Sequence, residues 1–293
     1  MRTRPQNRRT AAAPVVTIFL LVLLALSLLA VHFRETHPSL PDRSLTVQFL
    51  DVGEGDAALL LTPDGAVLID TGPAESRAVV RRALRPYRQQ LRALIVTHAH
   101  ADHAGDALWV LKHCTPPLLL LPFPAETEAE YEALLAAAKE CGTTVLFAAA
   151  GHAFSLGGAD FTVLAPLYDA EAMNDDSLVV RVDFGETSFL FTGDAEAESE
   201  ARQLAAFGGE PGGRLDTDVV KLGHHGSSTS SGDGYLAAVT PGIAVISVGE
   251  NRYGHPSAPL LARLEEDGVR VARTDRLGTV TVTSDGVSLT VTP

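Results

Sequence analysis

The sequence predicts an α/β protein, an αββα sandwich of two sheets between outer helices, preceded by one N-terminal transmembrane helix. Three observations carry this expectation. Strand-like runs come first as a meander and then interleave with helical segments, and that order occurs twice. About 250 residues remain beyond the N-terminal region, enough for one α/β domain with a large core. Residues 11–33 form an uncharged run dominated by Leu, Val and Ala.

Arg2, Arg4, Arg8 and Arg9 precede that run, and no acid comes before Glu35. At a rise of about 1.5 Å per residue, a helix over 11–33 crosses the hydrocarbon core of a bilayer. Basic residues ahead of the span predict a cytoplasmic N-terminus and an outward-facing remainder. The run is longer than the h-region of a signal peptide, and Leu28-Leu29-Ala30 is a poor cleavage site, so the expectation is an uncleaved anchor. The chain then divides into a basic tail (1–10), a transmembrane anchor (11–33), a Pro-containing linker (34–44) and a domain (45–293). It is expected in the cell membrane as a single-pass protein with its domain outside the cytoplasm.

Within the domain, 45–50, 57–61 and 66–69 read as strands separated by Gly-containing turns. Residues 75–85 have helical spacing, 93–96 a buried strand, and 104–113 a helix behind a His-rich loop. A strand at 118–121 and an Ala-rich helix at 126–140 follow. The second half repeats the scheme, with strands at 161–164, 178–184 and 188–191, then a helix at 195–207. Strands at 218–221 and 243–247 each lead into a His-containing loop, a helix covers 258–267, and 269–291 close the domain as strands.

The 293 residues carry 36 acids against 23 Lys and Arg, a formal charge of −13, and four of the basic residues lie in the first ten. So acidic a surface repels phosphate backbones wherever a metal or a local basic patch does not compensate, which excludes non-specific coating of nucleic acid. Cys114 and Cys141 are the only cysteines and make no disulfide framework.

The chemistry concentrates in Thr97-His98-Ala99-His100-Ala101-Asp102-His103, directly after the apolar run Ala93-Leu94-Ile95-Val96. His98 and His100 sit two apart at a strand end, which points both to one side. Asp102 and His103 offer an oxygen and a nitrogen from the turn that follows. Zinc accepts imidazole and carboxylate while keeping a position for water, and it supplies a nucleophilic water at neutral pH. Asp70 ends the strand Ala66-Val67-Leu68-Ile69 and is placed to receive an imidazole N–H and fix its tautomer. Asp56, in a loop of two glycines and three acids, is a candidate for the same work. His224 and His225 leave a strand side by side. Adjacent side chains diverge, so one of the pair is a ligand, with His224 favoured and His225 left to meet substrate as a proton donor. His255 follows another strand and can act likewise or replace His224. Ser227 offers a donor suited to a phosphate oxygen.

His98-Ala-His100-Ala-Asp102-His103 resembles the HxHxDH signature of the metallo-β-lactamase superfamily. Phe191-Thr192-Gly193-Asp194 looks like its later strand end, whose Asp lies between two metals. Four further segments resemble the metallohydrolase domain of ComEC-type DNA-uptake proteins: 49–57, 68–72, Asn174-Asp175-Asp176-Ser177-Leu178-Val179 and Lys221-Leu222-Gly223-His224-His225-Gly226-Ser227. Asn251-Arg252-Tyr253-Gly254-His255-Pro256 adds a fifth. Two departures stand out: His100 occupies a position that is commonly Asp in that family, and Asn174 or Ser177 stands where the superfamily has a third histidine.

The resemblance implies His98, His100, Asp102, His103, Asp194 and His224 as metal ligands for one or two Zn²⁺ ions, with Mn²⁺ the other candidate. Asp102, His225 and His255 are then catalytic, and Asp56, Asp70, Asn174, Ser177 and Ser227 orient ligands or meet substrate. It further implies a phosphodiesterase or nuclease acting outside the membrane on single-stranded DNA, beside a channel or competence protein partner. Fold does not fix substrate, so a lactam, lactone or other ester hydrolase remains an alternative, as does a non-catalytic, metal-stabilised binding module in DNA uptake.

Overall fold

Leu45–Phe49 (β1) alternates buried and half-buried residues, whereas Ala58–Thr62 (β2) and Gly65–Ile69 (β3) are buried throughout. Half-covered and fully covered strands of this kind belong at different depths of one sheet. The computed structural model, which describes residues 24, 27, 39–123, 129–167, 174–208 and 212–293, shows how they are used. β1, β2 and β3 form an antiparallel meander, and Leu91–Ile95 (β4), Leu118–Leu121 (β5) and Thr144–Phe147 (β6) then add in parallel. The helices Arg77–Leu84, Ala107–Cys114 and Ala129–Cys141 make the crossovers that parallel pairing demands.

The second half repeats this logic. Ala153–Leu156 (β7), Ala159–Ala165 (β8), Val179–Phe184 (β9) and Thr187–Phe191 (β10) form the meander. Val219–Lys221 (β11), Ile243–Ile246 (β12) and Arg270–Arg273 (β13) extend it in parallel. The chain then returns: Val280–Ser284 (β14) pairs antiparallel with β1, and Leu289–Thr292 (β15) pairs with β14. The result is an eight-stranded and a seven-stranded sheet within a unit spanning Leu40–Pro293. One apolar core lies between the sheets, where Phe49 stacks on Phe191 at 5.7 Å. The other two cores lie under the helices on the outer faces, so the layers run helix, sheet, sheet, helix.

The structure departs from the sequence reading in several places. β6, β7 and the helix Asp233–Val239 have no counterpart in it. The helix expected at 104–113 is two, Ala101–Ala104 and Ala107–Cys114. They part at Gly105, where any Cβ would clash with the backbone of Ala74 and Gly72. Residues 269–291 do not stay together: β13 closes one sheet and β14 opens onto the other. Cys114 and Cys141 are free. The expected tail at 1–10 and anchor at 11–33 lie outside the described residues apart from Leu24 and Ser27. Among the described residues no helix is long and apolar enough to cross a membrane.

Every loop that carries a candidate residue leaves the C-terminal end of a strand. β3 delivers Asp70, β4 the histidine loop, β10 Asp194, β11 the His224–His225 pair and β12 the loop to His255. The carboxyl ends of parallel strands are where open α/β sheets place their ligands.

Candidate metal centre

The loop after β4 is tied down by Asp70, whose backbone takes the left-handed conformation (φ 59°). Its carboxylate accepts hydrogen bonds from the Thr97 amide at 2.7 Å and the Thr97 hydroxyl at 2.8 Å. Asp70 Oδ2 also lies 2.9 Å from His103 Nδ1. An ionised carboxylate only accepts, so His103 carries its hydrogen on Nδ1 and directs Nε2 away. On the far side, Gly193 follows the end of β10 at φ 52°, where a Cβ would meet Ser177 and Thr97 side-chain carbons at 3.0 Å each. Only glycine fits, and the turn it makes aims Asp194 at His103.

Asp102, His103, Asp194 and His225 converge, each offering a ligand atom within 4.8 Å of the others. Asp194 Oδ1 is 3.2 Å from His103 Nε2, and Asp194 Oδ2 is 3.6 Å from His225 Nε2. Asp102 Oδ2 is 3.4 Å from His225 Nε2. His225 Nδ1 donates to the Ser247 carbonyl at 3.0 Å, which fixes its tautomer as Asp70 fixes that of His103. Imidazoles held through one nitrogen by a carboxylate or carbonyl, with the other directed at carboxylates, are what a zinc-type site uses.

The expectation placed His224, not His225, in this group. Both residues adopt left-handed backbone angles (φ 47° and 53°), and the turn sends their rings apart. His225 goes inward under Ser247, while His224 Nδ1 pairs with Glu196 Oε1 at 2.9 Å on a half-exposed rim.

Four buried side-chain atoms here have no hydrogen-bond partner among the described residues: Asp56 Oδ1, His103 Nε2, Asp194 Oδ1 and His225 Nε2. Buried polar atoms are almost always satisfied, so a cluster of exceptions calls for an ion. The donor set of two imidazoles and two carboxylates suits a divalent cation of the zinc type.

Charge supports the same conclusion. Burial would lower the His225 pKa, but Asp194 and Asp102 overcome it and push it up to about 10. Burial likewise opposes a raised pKa at His103, and Asp194 and Asp70 outweigh it. For Asp194, burial acts upward and the two histidines hold the carboxyl well below its ordinary range. The metal-free site therefore keeps protons on the nitrogens that a cation would take, and the cation must displace them. Apparent affinity for zinc should rise with pH from 6 to 8, by about tenfold per unit for each proton displaced. Competition titrations with a chelating dye across that range check this, and a flat profile would refute it. Without metal, the stability that protonated His225 contributes is complete below its ordinary value of 6.5 and is lost as pH climbs through about 10.

The remaining candidates surround this group. His98 and His100 face each other, Nε2 to Nδ1, at 3.0 Å, and His98 Nε2 is 4.0 Å from Asp194 Oδ2. Burial, followed by the charge on His103, keeps His98 neutral. Ser177 accepts the Asp194 amide at 3.2 Å and so holds the backbone of that residue. Asn174 donates to Glu196 at 3.0 Å. Ser227 spends its hydroxyl on Thr229 at 2.9 Å. His255 Nδ1 is 2.8 Å from Glu54 Oε1, its ring 6.3 Å from that of His225, outside the convergent group.

Lys221, Glu54 and Glu196 were not singled out in the sequence. Lys221 is buried at the end of β11, ion-paired with Asp56, 2.9 Å from the Gly193 carbonyl and 3.8 Å from Asp194 Oδ1. A lysine closing the apolar strand Val219–Lys221 was the available signal, because a buried ammonium requires a carboxylate.

Residues 50–250 match the metallo-β-lactamase superfamily. The chain belongs to that superfamily. Among curated relatives, ComE operon protein 3 of Bacillus subtilis is 34% identical over 80% of this chain and 32% of its own length. Recombination protein 2 of Haemophilus influenzae is 33% identical over 80% of this chain and 28% of its own. The resemblance to competence proteins expected from the motifs is met by these relatives, of whose length the chain spans about a third. The solved structure of CmlA, a diiron β-hydroxylase from Streptomyces venezuelae, superposes with a TM-score of 0.55 at 16% identity, covering 83% of this chain and 54% of that one. At that identity the likeness speaks for a shared fold alone.

Proposed function

We propose that this superfamily member is a metal-dependent phosphodiesterase acting on DNA, comparable in role to the matching third of the competence relatives. The observation that carries the reading is the buried convergence of Asp102, His103, Asp194 and His225 with their donor atoms unsatisfied. Those four residues would hold one ion, and His98, His100 and Asp194 are the candidates for a second. Divalent ions held there supply positive charge to phosphate oxygens and lower the pKa of a water. Asp70 and Ser247 keep the two imidazoles in the tautomers that face the site. Lys221 holds Asp56 and the Gly193 turn in place, and Ser177 restrains the Asp194 backbone. His255, clamped by Glu54 through Nδ1, leaves Nε2 as the atom that can give a proton to a leaving oxygen when the ring carries both protons.

The proposal includes location and company: an anchor at 11–33, the site outside the membrane and a channel-forming competence protein as partner. The full chain, loaded with zinc or manganese, is tested for metal content and for hydrolysis of bis-p-nitrophenyl phosphate and labelled single-stranded DNA. Turnover of both, lost in Asp102→Ala, is the expected result. Metal-loaded protein that cleaves neither would overturn the phosphodiesterase reading and favour a lactam or ester hydrolase.

A further inference from the structure

Tyr253 is the most solvent-exposed large apolar or aromatic side chain among the described residues, at 78%, yet it is not loose. Asn251 Oδ1 accepts from the amides of Tyr253, Gly254 and His255 at 3.0–3.1 Å. Its Nδ2 donates to the Gly249 and His255 carbonyls at 2.9 Å each. One side chain thus fixes the whole turn by five hydrogen bonds. The Tyr253 ring stacks on His255 at 5.5 Å, and His255 is held by Glu54, whose other oxygen accepts the Gly249 amide at 3.1 Å. Tyr253 is therefore a rigid ring two ring contacts from His225, on the rim of the metal centre. Its neighbour Arg252 is exposed and makes no ion pair among the described residues, in a chain of net charge −13.

An exposed, preorganised aromatic face beside a free guanidinium matches a specific ligand chemistry, a flat ring attached to a phosphate. We propose that Tyr253 stacks an unpaired nucleobase while Arg252 meets an adjoining phosphate, so that the site selects single-stranded nucleic acid. The inference rests on the phosphodiester reading above. Bases within a duplex already stack on their neighbours and offer no free face, whereas each base of a single strand does. The pairing also answers the charge problem. An acidic protein that cannot coat DNA can still hold one nucleotide at a time where ring and cation are set together.

The test measures binding, not turnover. Zinc-loaded full chain is titrated into a fluorescent phosphorothioate dT oligomer, whose backbone resists cleavage, and followed by anisotropy. Tyr253→Ala and Tyr253→Leu should each weaken binding by about tenfold or more, whereas Tyr253→Phe should stay within about twofold. An oligomer of abasic residues should bind the wild-type protein about as weakly as dT binds Tyr253→Ala. Arg252→Gln should weaken both oligomers alike and flatten the salt dependence. The proposal is overturned if the wild-type chain fails to bind dT, if Tyr253→Ala binds as tightly as wild type, or if the abasic strand binds as tightly as dT. The phosphodiesterase reading is scored separately, on wild-type turnover of bis-p-nitrophenyl phosphate, which has no base. Tight Tyr253-dependent binding without that turnover would sink hydrolysis and leave strand recognition standing.

Discussion

Asp194→Asn should strip the protein of metal while leaving the fold intact. The carboxylate lies 3.2 Å from His103 Nε2, 3.6 Å from His225 Nε2, 3.8 Å from His224 Nε2 and 4.0 Å from His98 Nε2, so each histidine near the centre faces it. Removing an outer partner of a metal ligand typically costs 10–100-fold in affinity, so loss of the shared carboxylate should cost about 100-fold or more. Asparagine has the same shape, and the hydrogen bond from the residue-194 amide to Ser177 is made by the backbone, so the turn persists. The substitution also removes the charge that does most to raise both buried histidines. Their imidazole protons should then leave at lower pH, which NMR titration of the metal-free variant reads directly. Calorimetry showing zinc affinity within about threefold of wild type would mean that Asp194 is not at the centre of the site.

The half of this site that was legible in the sequence was legible for a local reason. His98, His100, Asp102 and His103 fall in six residues after an apolar strand, and neither an ordinary core nor an ordinary surface needs ligand groups at that density. Asp70 and Asp194 could be read because each ends an apolar run, and strand ends are where such sheets present side chains. The choice between His224 and His225 could not be read, because it depends on two successive left-handed residues that turn one ring under Ser247 and the other toward Glu196. The partners of the outer histidines were equally hidden: Glu54 reaches His255 across 201 positions. The meanders and crossovers followed from hydrophobic pattern, but the return of β14 to β1 pairs Leu45 with Ser284, and no local signal encodes that distance. Arg77, Arg81 and Arg85 fall four apart on one helical face, a spacing that reads first as a solvated strip balancing nearby acids. Arg81 forms a two-point pair with Asp106 and lies 4.4 Å over the Trp109 ring, a partner and a contact that spacing alone does not reveal.

Lys221→Met tests the other half of the site, the cation that the sequence did not advertise. Asp56, Asp70, Asp102 and Asp194 place four carboxyl groups around one small volume, and Lys221 is the one lysine or arginine paired with any of them among the described residues. Burial would lower the lysine pKa, but Asp56 and Asp194 raise it, so the ammonium stays charged. Methionine keeps the length and removes the charge, leaving Asp56 buried beside Asp70 without its lysine partner and with only the more distant His225 and His103 as counter-charges. Breaking a buried pair from one side costs about 3–5 kcal/mol, on the order of 10 °C in Tm for a domain this size. Protonation of Asp56 should recover part of the loss, so the deficit should shrink as pH falls. A divalent cation brings positive charge to the same carboxylates, so zinc should stabilise Lys221→Met against denaturant by more than it stabilises the wild-type protein. Denaturation midpoints in chelator and in zinc give both comparisons. A variant as stable as wild type in chelator would show that Lys221 does not balance these carboxylates. A variant that zinc stabilises no more than wild type would show that lysine and metal act on separate charges.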